Sequence, residues 1–420
     1  MAYYKRIADQ VLQDRLDANG AVLIQGAKWC GKTTTALQIA KSSLFMQDPQ
    51  TREQNLRLAD IDPMFLLEGD IPRLLDEWQL APKLWDAVRF AVDQRNDFGQ
   101  FILTGSAVPF ADMSTSHSGT GRIARMTMRP MSLFESEDSN AQVSLRDLFQ
   151  KAQIRAKAEL SLTDIAFLIC RGGWPSAINR SDKIALRQAI DYLEGVIESD
   201  ISRADGVSRN PMRVRMLLRS YARMIGTQAS ITSIREDMVS NDRDSLDKDT
   251  ISSYISALKL IFVIEELEAW IPNLRSRTAI RTSNTRFFVD PSIASSSLRI
   301  GPMDLINDLK TMGFLFESLC IRDLRVYADA LEGDVYRYRD ANGLECDAVV
   351  HLRDGRYGLI EIKLGGSEIE PAAKNLLKIV DILDTTRMKE PSFLMVLTGT
   401  QYAYQREDGV YVVPVGCLRD

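Results

Sequence analysis

The chain has 420 residues, a length that predicts two or three domains rather than one core. Its hydrophobic share of 45% and charged share of 26% exclude a disordered protein, and no apolar run is long enough to cross a membrane. The net charge of −5 excludes a generic polyanion binder, so any nucleic-acid surface must be local. Five scattered cysteines, two histidines and the lack of an apolar signal core predict a reducing cytoplasm, and they disfavour disulfide frameworks, structural zinc and histidine triads.

The segment Gly26–Thr33 has the spacing G-x-x-x-x-G-K-[ST], which is typical of a phosphate-binding P-loop. Its two glycines permit a tight turn whose backbone N–H groups point at phosphate oxygens. Lys32 brings a positive charge to the β- and γ-phosphates, and the Thr33 hydroxyl is a ligand for Mg²⁺. A buried strand predicted over 21–25 leads in, and a helix predicted over 34–40 leads out with its positive end towards the phosphates. The sequence therefore predicts that ATP binds here with Mg²⁺.

A second acidic element must hold the magnesium and position the attacking water. Leu74–Glu77 fits the end of a strand that carries such an element. Asp76 would bind Mg²⁺ through water, and Glu77 would polarise the nucleophilic water. The alternative is an acidic pair on the surface after a helix.

A further buried strand is predicted at Phe101–Ser106, and it ends in small polar residues. Thr104 or Ser106 at its tip would touch the γ-phosphate or the water. Because ligands bind beyond the carboxyl ends of parallel strands, these side chains should lie beside the P-loop and Glu77. The predicted cofactor-binding set is Gly26, Ala27, Lys28, Trp29, Cys30, Gly31, Lys32, Thr33, Thr34, Asp76 and Thr104.

Several further motifs, taken together with the P-loop, resemble one known family. They are Arg73–Gln79, Trp85–Arg89, Leu103–Ala107, Ser118–Arg125, Met128–Ser132, Gly172–Pro175 and Phe287–Asp290. Over nearly the whole chain they are similar to the bacterial and archaeal AAA+ ATPases that carry a DUF4143 C-terminal region. The P-loop interior departs from that family, since Lys28-Trp29-Cys30 stands where Arg-Gln and a small or apolar residue are more usual. The resemblance implies an ATP-hydrolysing domain with an AAA+-like parallel sheet.

Arginines in the segment 118–132 are candidates for an arginine finger, acting in cis or from a neighbouring subunit. A guanidinium that reaches the γ-phosphate neutralises charge that builds up in the transition state. The candidates are Arg122, Arg125 and Arg129. The alternative is that they are solvated or pair with nearby acids such as Glu135.

The middle of the chain is predicted to be helical, with a winged-helix arrangement of the kind that binds DNA. The predicted helices cover 213–225, 231–238 and 250–260, with a polar loop over 241–249 and strand-like runs at 261–264 and 268–270. Six arginines lie between positions 203 and 223: Arg203, Arg209, Arg213, Arg215, Arg219 and Arg223. Arg215, Arg219 and Arg223 recur every fourth residue and share one helix face, which would follow a phosphate backbone. A solvated face or an interdomain surface is the alternative.

A second constellation of charged residues lies near the C-terminus. Asp347 on one predicted strand precedes Glu361 and Lys363 on the next, with the spacing Asp-x(13)-Glu-x-Lys of PD-(D/E)XK nucleases. Two carboxylates from neighbouring strands hold Mg²⁺ against a scissile phosphate, and Lys363 orients or deprotonates the water. Glu317, on a helix predicted over 313–327, is a further metal-ligand candidate. A weak ion pair on a solvent-facing strand is the alternative.

The sequence thus predicts an α/β chain in four parts. They are a P-loop AAA+ ATPase core over 1–150, a helical lid or linker over 151–205, a winged-helix-like domain over 206–300 and an α/β restriction-endonuclease-like domain over 301–420. The leading hypothesis is an ATPase that couples nucleotide state to a nuclease-like module acting on DNA. The alternatives are a nucleotide-dependent DNA- or protein-binding switch with an inactive nuclease-like domain, and a metal-dependent nuclease whose ATPase regulates assembly. A protein partner and an oligomer are compatible with each.

Overall fold

The computed structural model describes residues 3–106, 119–241, 246–271, 283–340, 343–383 and 388–420. Contacts within the chain group it into two compact units. Unit 1 comprises 1–130, 200–208 and 257–262, and unit 2 comprises 131–199, 209–256 and 263–420. The predicted division into four parts stays a prediction.

Unit 1 is built around a five-stranded sheet in the order β2-β3-β4-β1-β5, with every pairing parallel. Its elements are α1 (Ile7–Ala18), β1 (Ala21–Gln25), α2 (Lys32–Ile39), β2 (Ser42–Phe45), α3 (Arg52–Ile61), β3 (Arg73–Asp76), α4 (Lys83–Arg95), β4 (Phe101–Gly105) and β5 (Ile123–Thr127). The three predicted strands are thus present, which confirms the α/β class with a parallel sheet.

The central strands β1, β3 and β4 of this sheet are buried because their apolar side chains supply two separate cores. One core contains Trp78 and Trp85, whose rings lie 4.9 Å apart. The other core contains Leu12 and Leu16 of α1, together with strand residues on the other face of the sheet, such as Val22. With both faces covered, the carboxyl edge of the sheet is left to bind a ligand.

The helices of unit 2 lie within the predicted middle region and on both sides of it in sequence. They are α5 (Leu145–Leu148), α6 (Leu162–Arg171), α7 (Asp182–Gly195), α9 (Pro211–Arg223), α10 (Ile231–Asn241), α12 (Pro291–Leu298), α13 (Pro302–Asn307), α14 (Leu309–Asp329) and α15 (Ile369–Ile382). The short α8 (Ile201–Arg203) belongs to unit 1, and residues of α11 (Lys248–Leu260) fall in both units. The Asp247 side chain accepts the backbone N–H of Thr250 at 2.7 Å, so α11 begins two residues earlier than predicted.

The strand-like runs predicted after α11 form isolated bridges rather than strands. Ile264 pairs with Phe288 and Leu267 pairs with Thr285, both antiparallel. These two bridges form a narrow antiparallel ladder, whereas Ala269 of the second predicted run forms a parallel bridge with Arg337. Residues 272–282 lie outside the described part of the chain.

The motifs at 172–175 and 287–290 meet in unit 2 through Asp290. This buried carboxylate accepts the backbone N–H of Gly173 at 2.9 Å and an N–H of the buried Arg322 at 3.0 Å. A Cβ on Gly172 would lie 2.4 Å from the Asp290 carboxylate, and Gly172 has a φ of +71°. The motifs therefore have a packing role, which accounts for the glycine.

The sheet of unit 2 has seven strands in the order β7-β12-β13-β11-β10-β9-β8. The strands are β7 (Arg155–Lys157), β8 (Gly333–Arg339), β9 (Glu345–Leu352), β10 (Tyr357–Lys363), β11 (Phe393–Thr398), β12 (Tyr402–Gln405) and β13 (Tyr411–Pro414). A separate pair joins β6 (Val143–Ser144) to β14 (Leu418–Arg419). Segments before the helical middle thus complete the C-terminal α/β structure. Within the described ranges, no helix has the length and apolar character that a membrane crossing requires.

Candidate functional site

The P-loop connects β1 to α2, and its glycines are required by its backbone. Gly26 and Gly31 have φ values of +148° and +106°, which residues other than glycine rarely adopt. A Cβ on Gly26 would lie 2.1 Å from the carbonyl oxygen of Met128, the residue that follows β5. The loop is therefore packed directly on the end of the neighbouring strand, and its conformation is fixed from outside.

Lys32 is buried inside the curve of this loop. Its Nζ donates to the carbonyl oxygens of Gly26 at 2.9 Å and Ala27 at 2.8 Å. These bonds hold a positive charge where the phosphates of a nucleotide would lie, and ligand oxygens can replace the two carbonyls without stranding the amine.

Asp76, at the carboxyl end of β3, is the point where the predicted side chains converge. The hydroxyls of Thr33 and Thr104 both donate to Asp76 Oδ1 at 2.6 Å. Gln47 donates to Asp76 Oδ2 at 3.1 Å. A carboxylate and a hydroxyl at this separation are the oxygen ligands that Mg²⁺ prefers, so these residues fit the ion that the P-loop implies.

Gln47 was missed by the sequence analysis because no motif marks it. It follows β2, and the pairing of Phe45 with Asp76 in register brings it to the acid. Ser106, the other predicted strand-tip candidate, is buried at the end of β4.

Glu77 follows Asp76 in a left-handed backbone conformation, with a φ of +55°. Burial raises the pKa of the Glu77 carboxyl above its ordinary value, while Lys32 and the hydrogen bond from Gln79 lower it. Gln79 Nε2 donates to Glu77 Oε2. A Cβ on Gly105 would lie 2.8 Å from Gln79 Oε1, so glycine at the tip of β4 leaves room for this amide. Gln79 lies inside a predicted motif, but its contact with Glu77 was not predicted.

The interior of the P-loop is held by contacts that the motif did not reveal. Lys28 forms an ion pair with Asp200 at 2.6 Å. The buried Cys30 thiol donates to the Met128 carbonyl at 3.3 Å, which supports a structural role for this cysteine. Arg6, just before α1, donates to the carbonyl of Cys30 at 2.8 Å. The remaining predicted loop residues, Trp29 and Thr34, are exposed.

The three arginine-finger candidates differ in their surroundings. Arg122 forms an ion pair with Asp93 at 2.7 Å, and the Arg125 guanidinium lies 5.4 Å from the Trp85 ring. Arg129 follows Met128, and its carbonyl accepts a hydrogen bond from Arg6 at 2.9 Å. Of the three, Arg129 is adjacent in sequence to the residue that packs on the P-loop.

The C-terminal constellation comes together in unit 2. Lys363 Nζ lies 2.8 Å from Asp347 Oδ2 and 2.7 Å from Glu361 Oε2. Asp347 Oδ2 also accepts the backbone N–H of Ile362 at 2.9 Å, and Asn375 donates to Glu361 Oε1 at 2.8 Å. The three predicted residues are therefore neighbours, and the carboxylates are buried rather than solvent-facing.

Glu317, on α14, joins this cluster through Arg337 on β8. Arg337 donates to Glu317 Oε1 at 3.0 Å and lies 3.7 Å from Asp347 Oδ1. Burial, together with the nearby Asp347, raises the pKa values of Glu317 and Glu361 to about 8. Asp347 is the exception, since Lys363 and Arg337 outweigh its burial and lower its pKa.

A divalent cation does not fit this cluster as it stands, because the carboxylate oxygens already contact Arg337, Lys363, Asn375 and backbone N–H groups. In the described part of the chain, no group of three or more His, Cys, Asp or Glu side chains is arranged to hold a metal ion. Metal binding by Glu317, Asp347 and Glu361 stays a prediction, and their present partners argue against it.

The arginine stripe is partly occupied by internal contacts. Arg215 pairs with Glu194 and Glu198, and Arg223 lies 3.4 Å from Asp237. Arg209 is buried, with its guanidinium 5.3 Å from the Tyr254 ring. The members that remain exposed without such a pairing in the described structure are Arg203, Arg213 and Arg219.

Comparison with known families agrees with this geometry. Residues 18–137 match the family described as an AAA domain, and residues 312–418 match a domain of unknown function, DUF4143. The chain carries an AAA domain and a DUF4143 domain. The resemblance predicted from the motifs is thereby confirmed. Between these domains, residues 162–304 match a further domain of unknown function, DUF8612, which the sequence analysis did not name.

Two mycobacterial relatives are 25% identical to the chain over 368 residues, which is 86% of the chain and 74% of each relative. They are Uncharacterized protein Rv2008c of Mycobacterium tuberculosis and Uncharacterized protein Mb2031c of Mycobacterium bovis. A solved structure, the Walker-type ATPase PABY2304 of Pyrococcus abyssi, is 15% identical with a TM-score of 0.44, covering 71% of this chain and 96% of that chain.

Proposed function

We propose that the AAA domain binds and hydrolyses ATP with Mg²⁺, and that the rest of the chain responds to the nucleotide state. The observation that carries the proposal is the convergence of Thr33 and Thr104 on Asp76 Oδ1, each at 2.6 Å. Side chains from the P-loop and from the ends of two neighbouring strands meet there.

The proposed roles follow from the contacts of each side chain. Lys32 exchanges the carbonyls of Gly26 and Ala27 for phosphate oxygens. Thr33 and Asp76 would hold Mg²⁺, which supplies charge neutralisation at the phosphates when it is bound. Glu77 accepts a proton from the attacking water or orients that water, in its ionised form.

An arginine that reaches the γ-phosphate would complete the site. Arg129 is the favoured candidate, because it directly follows Met128, whose carbonyl packs against Gly26 of the P-loop. Thr104 is the favoured strand-tip residue, since its hydroxyl already contacts Asp76.

Steady-state ATP hydrolysis by the full chain tests this proposal. Wild-type protein should turn over ATP in the presence of Mg²⁺, and Lys32→Ala should lower turnover by ~100-fold or more, as for the loss of an electrostatic catalytic group. Lys41→Ala is a matched control, because Lys41 is an exposed lysine just after α2. Equal turnover by wild type and Lys32→Ala would show that the P-loop is not the hydrolytic site.

For the C-terminal domain we favour binding over cleavage, so the chain acts as a nucleotide-dependent switch. The observation that supports this choice is the contact of both Asp347 oxygens with cationic side chains, Arg337 and Lys363. The winged-helix-like middle, with three helices and a narrow antiparallel ladder, is a candidate for contact with DNA or protein.

A DNA cleavage assay separates the two candidates for the C-terminal domain. Full-length protein is incubated with single- and double-stranded DNA, Mg²⁺ or Mn²⁺, and ATP. The switch hypothesis predicts that the DNA stays uncleaved, whether or not the protein binds it. Cleavage that Glu361→Ala abolishes, while ATP turnover persists, would instead establish the nuclease.

A further inference from the structure

Arg337 lies at the centre of the carboxylate cluster in the DUF4143 domain. Its side chain is buried, with a relative exposure of 10%. One terminal nitrogen donates to Glu317 at 3.0 Å and to the Gly226 carbonyl at 3.2 Å. The other lies 3.5 Å from Glu345 and 3.7 Å from Asp347 Oδ1. The guanidinium thus connects carboxylates from α14 and β9.

Lys363 closes the cluster on the other side of Asp347. It reaches Asp347 Oδ2 and Glu361 Oε2, and the Ile362 N–H shares Asp347 Oδ2. Both Asp347 oxygens therefore face a cation: Lys363 donates a hydrogen bond to Oδ2, and Arg337 lies 3.7 Å from Oδ1. Glu361 is engaged at both oxygens as well, by Lys363 and Asn375.

A metal ion would need these same oxygens. A Mg²⁺ or Mn²⁺ ion takes carboxylate oxygens at about 2.0–2.2 Å and does not tolerate a guanidinium within the same shell. Pairing with positive charge offsets the cost of burying carboxylates, and two cations already provide it here. The planar fork of arginine presents one terminal nitrogen to Glu317 and the other to Asp347.

We propose that Arg337 is the resident cation of this cluster, and that it excludes divalent metal from Asp347 in the folded domain. The inference concerns the C-terminal cluster alone and does not depend on ATP hydrolysis. It gives the nuclease-like spacing a structural use, since Asp347, Glu361 and Lys363 then form part of an internal ion-pair network that joins α14 to three strands.

Mn²⁺ titration of the full chain without nucleotide, followed by electron paramagnetic resonance, tests the proposal. The variants are wild type, Arg337→Gln and the control Arg353→Gln, which changes an exposed arginine just after β9. Each variant is also prepared with the additional substitution Asp347→Asn. The Mn²⁺ binding that this substitution removes is the binding at the cluster. We expect no Asp347-dependent binding in wild type or the control, and at least tenfold tighter Asp347-dependent binding in Arg337→Gln.

Thermal unfolding supplies a second readout. Arg337→Gln should unfold at a lower temperature than wild type, and Mn²⁺ should raise that temperature because it binds only the folded variant. If Arg337→Gln is unfolded without metal, the proposal expects Mn²⁺ to restore the fold, as judged by circular dichroism.

Two results would overturn the proposal. One is Asp347-dependent Mn²⁺ binding by wild type. The other is an Arg337→Gln variant that neither binds Mn²⁺ through Asp347 nor is stabilised or refolded by it.

Discussion

The P-loop site and the Arg337 cluster contain the same chemical groups but differ in what holds their charges. In the AAA domain, the Lys32 amine is bonded to two backbone carbonyls, and Asp76 is bonded to neutral hydroxyl and amide groups. In the DUF4143 domain, Asp347 and Glu361 are bonded to Lys363, and Arg337 contacts Asp347. The first arrangement leaves unlike charges to be met by a ligand. The second satisfies them internally, which is the basis of the structural role proposed for that residue set.

The largest effect should come from the proposed base of the AAA domain. Glu77→Gln should lower the kcat for ATP by about 100-fold or more, since general-base catalysis is lost. ATP binding, measured by isothermal titration calorimetry, should persist. The unfolding free energy should stay the same or rise, because the substitution removes a partly buried charge. The exposed Glu68→Gln is the matched control. Near-normal kcat in Glu77→Gln would remove Glu77 from the proposed mechanism.

Substitution in the ion-pair network around Asp347 should lower the stability of the fold rather than the rate of ATP hydrolysis. Lys363→Met leaves Asp347 and Glu361 buried without their shared cation, which should lower the unfolding free energy by about 3 kcal/mol. Urea unfolding followed by circular dichroism measures the change. Lys378→Met alters an exposed lysine on α15 and should have little effect. A loss no larger than that of the control would contradict the structural role of the network.

Gln79 should have an intermediate effect as a positioning residue for Glu77. Gln79→Leu removes the hydrogen bond to Glu77 Oε2 and should lower kcat about tenfold through misplacement of the carboxylate, with KM nearly unchanged. Gln94→Leu, on the exposed side of α4, is the control. A rise in KM with unchanged kcat would point to nucleotide binding instead.

The pH dependence of kcat gives a separate test of the same pair. In the proposed mechanism Glu77 acts in its ionised form, and burial raises its pKa. The kcat should therefore fall on the acid side with a midpoint above the ordinary glutamate value. The hydrogen bond from Gln79 lowers the pKa, so Gln79→Leu should move that midpoint to higher pH. The midpoint of Gln94→Leu should match wild type. If the acid limb of Gln79→Leu had the same midpoint as wild type, the Gln79 amide would not influence the pKa of Glu77.

The smallest effect should come from the arginine stripe on α9. Arg215→Ala breaks ion pairs with Glu194 and Glu198, which lie at the surface, so the unfolding free energy should change by less than about 1 kcal/mol. The change should shrink further at high salt because mobile ions screen exposed charges. Arg213→Ala, on the same helix, is the comparison. A loss as large as that of Lys363→Met would mean that surface pairs stabilise this fold as strongly as buried ones.

The sequence alone determined the P-loop and the strands around it, because local spacing encodes local geometry. Gly26 and Gly31 are needed for the turn, Lys32 and Thr33 follow at fixed positions, and the apolar runs at 21–25 and 101–105 predict buried strands. The meeting of Asp76 with Thr104 followed from the rule that carboxyl ends of parallel strands share an edge.

Only the tertiary structure decided which side chains complete each site. Gln47 reaches Asp76 through strand register, and Arg337 reaches Glu317 and Asp347 because β8 pairs with β9 beneath α14. Neither contact has a motif, since the partners are far apart in sequence and belong to different elements. The spacing of Asp347, Glu361 and Lys363 predicts a catalytic set. The charge state and burial of these side chains, however, depend on every group that faces them. In the proposed role of Arg337, the arginine from a neighbouring strand is what makes this set an ion-pair network rather than a metal site.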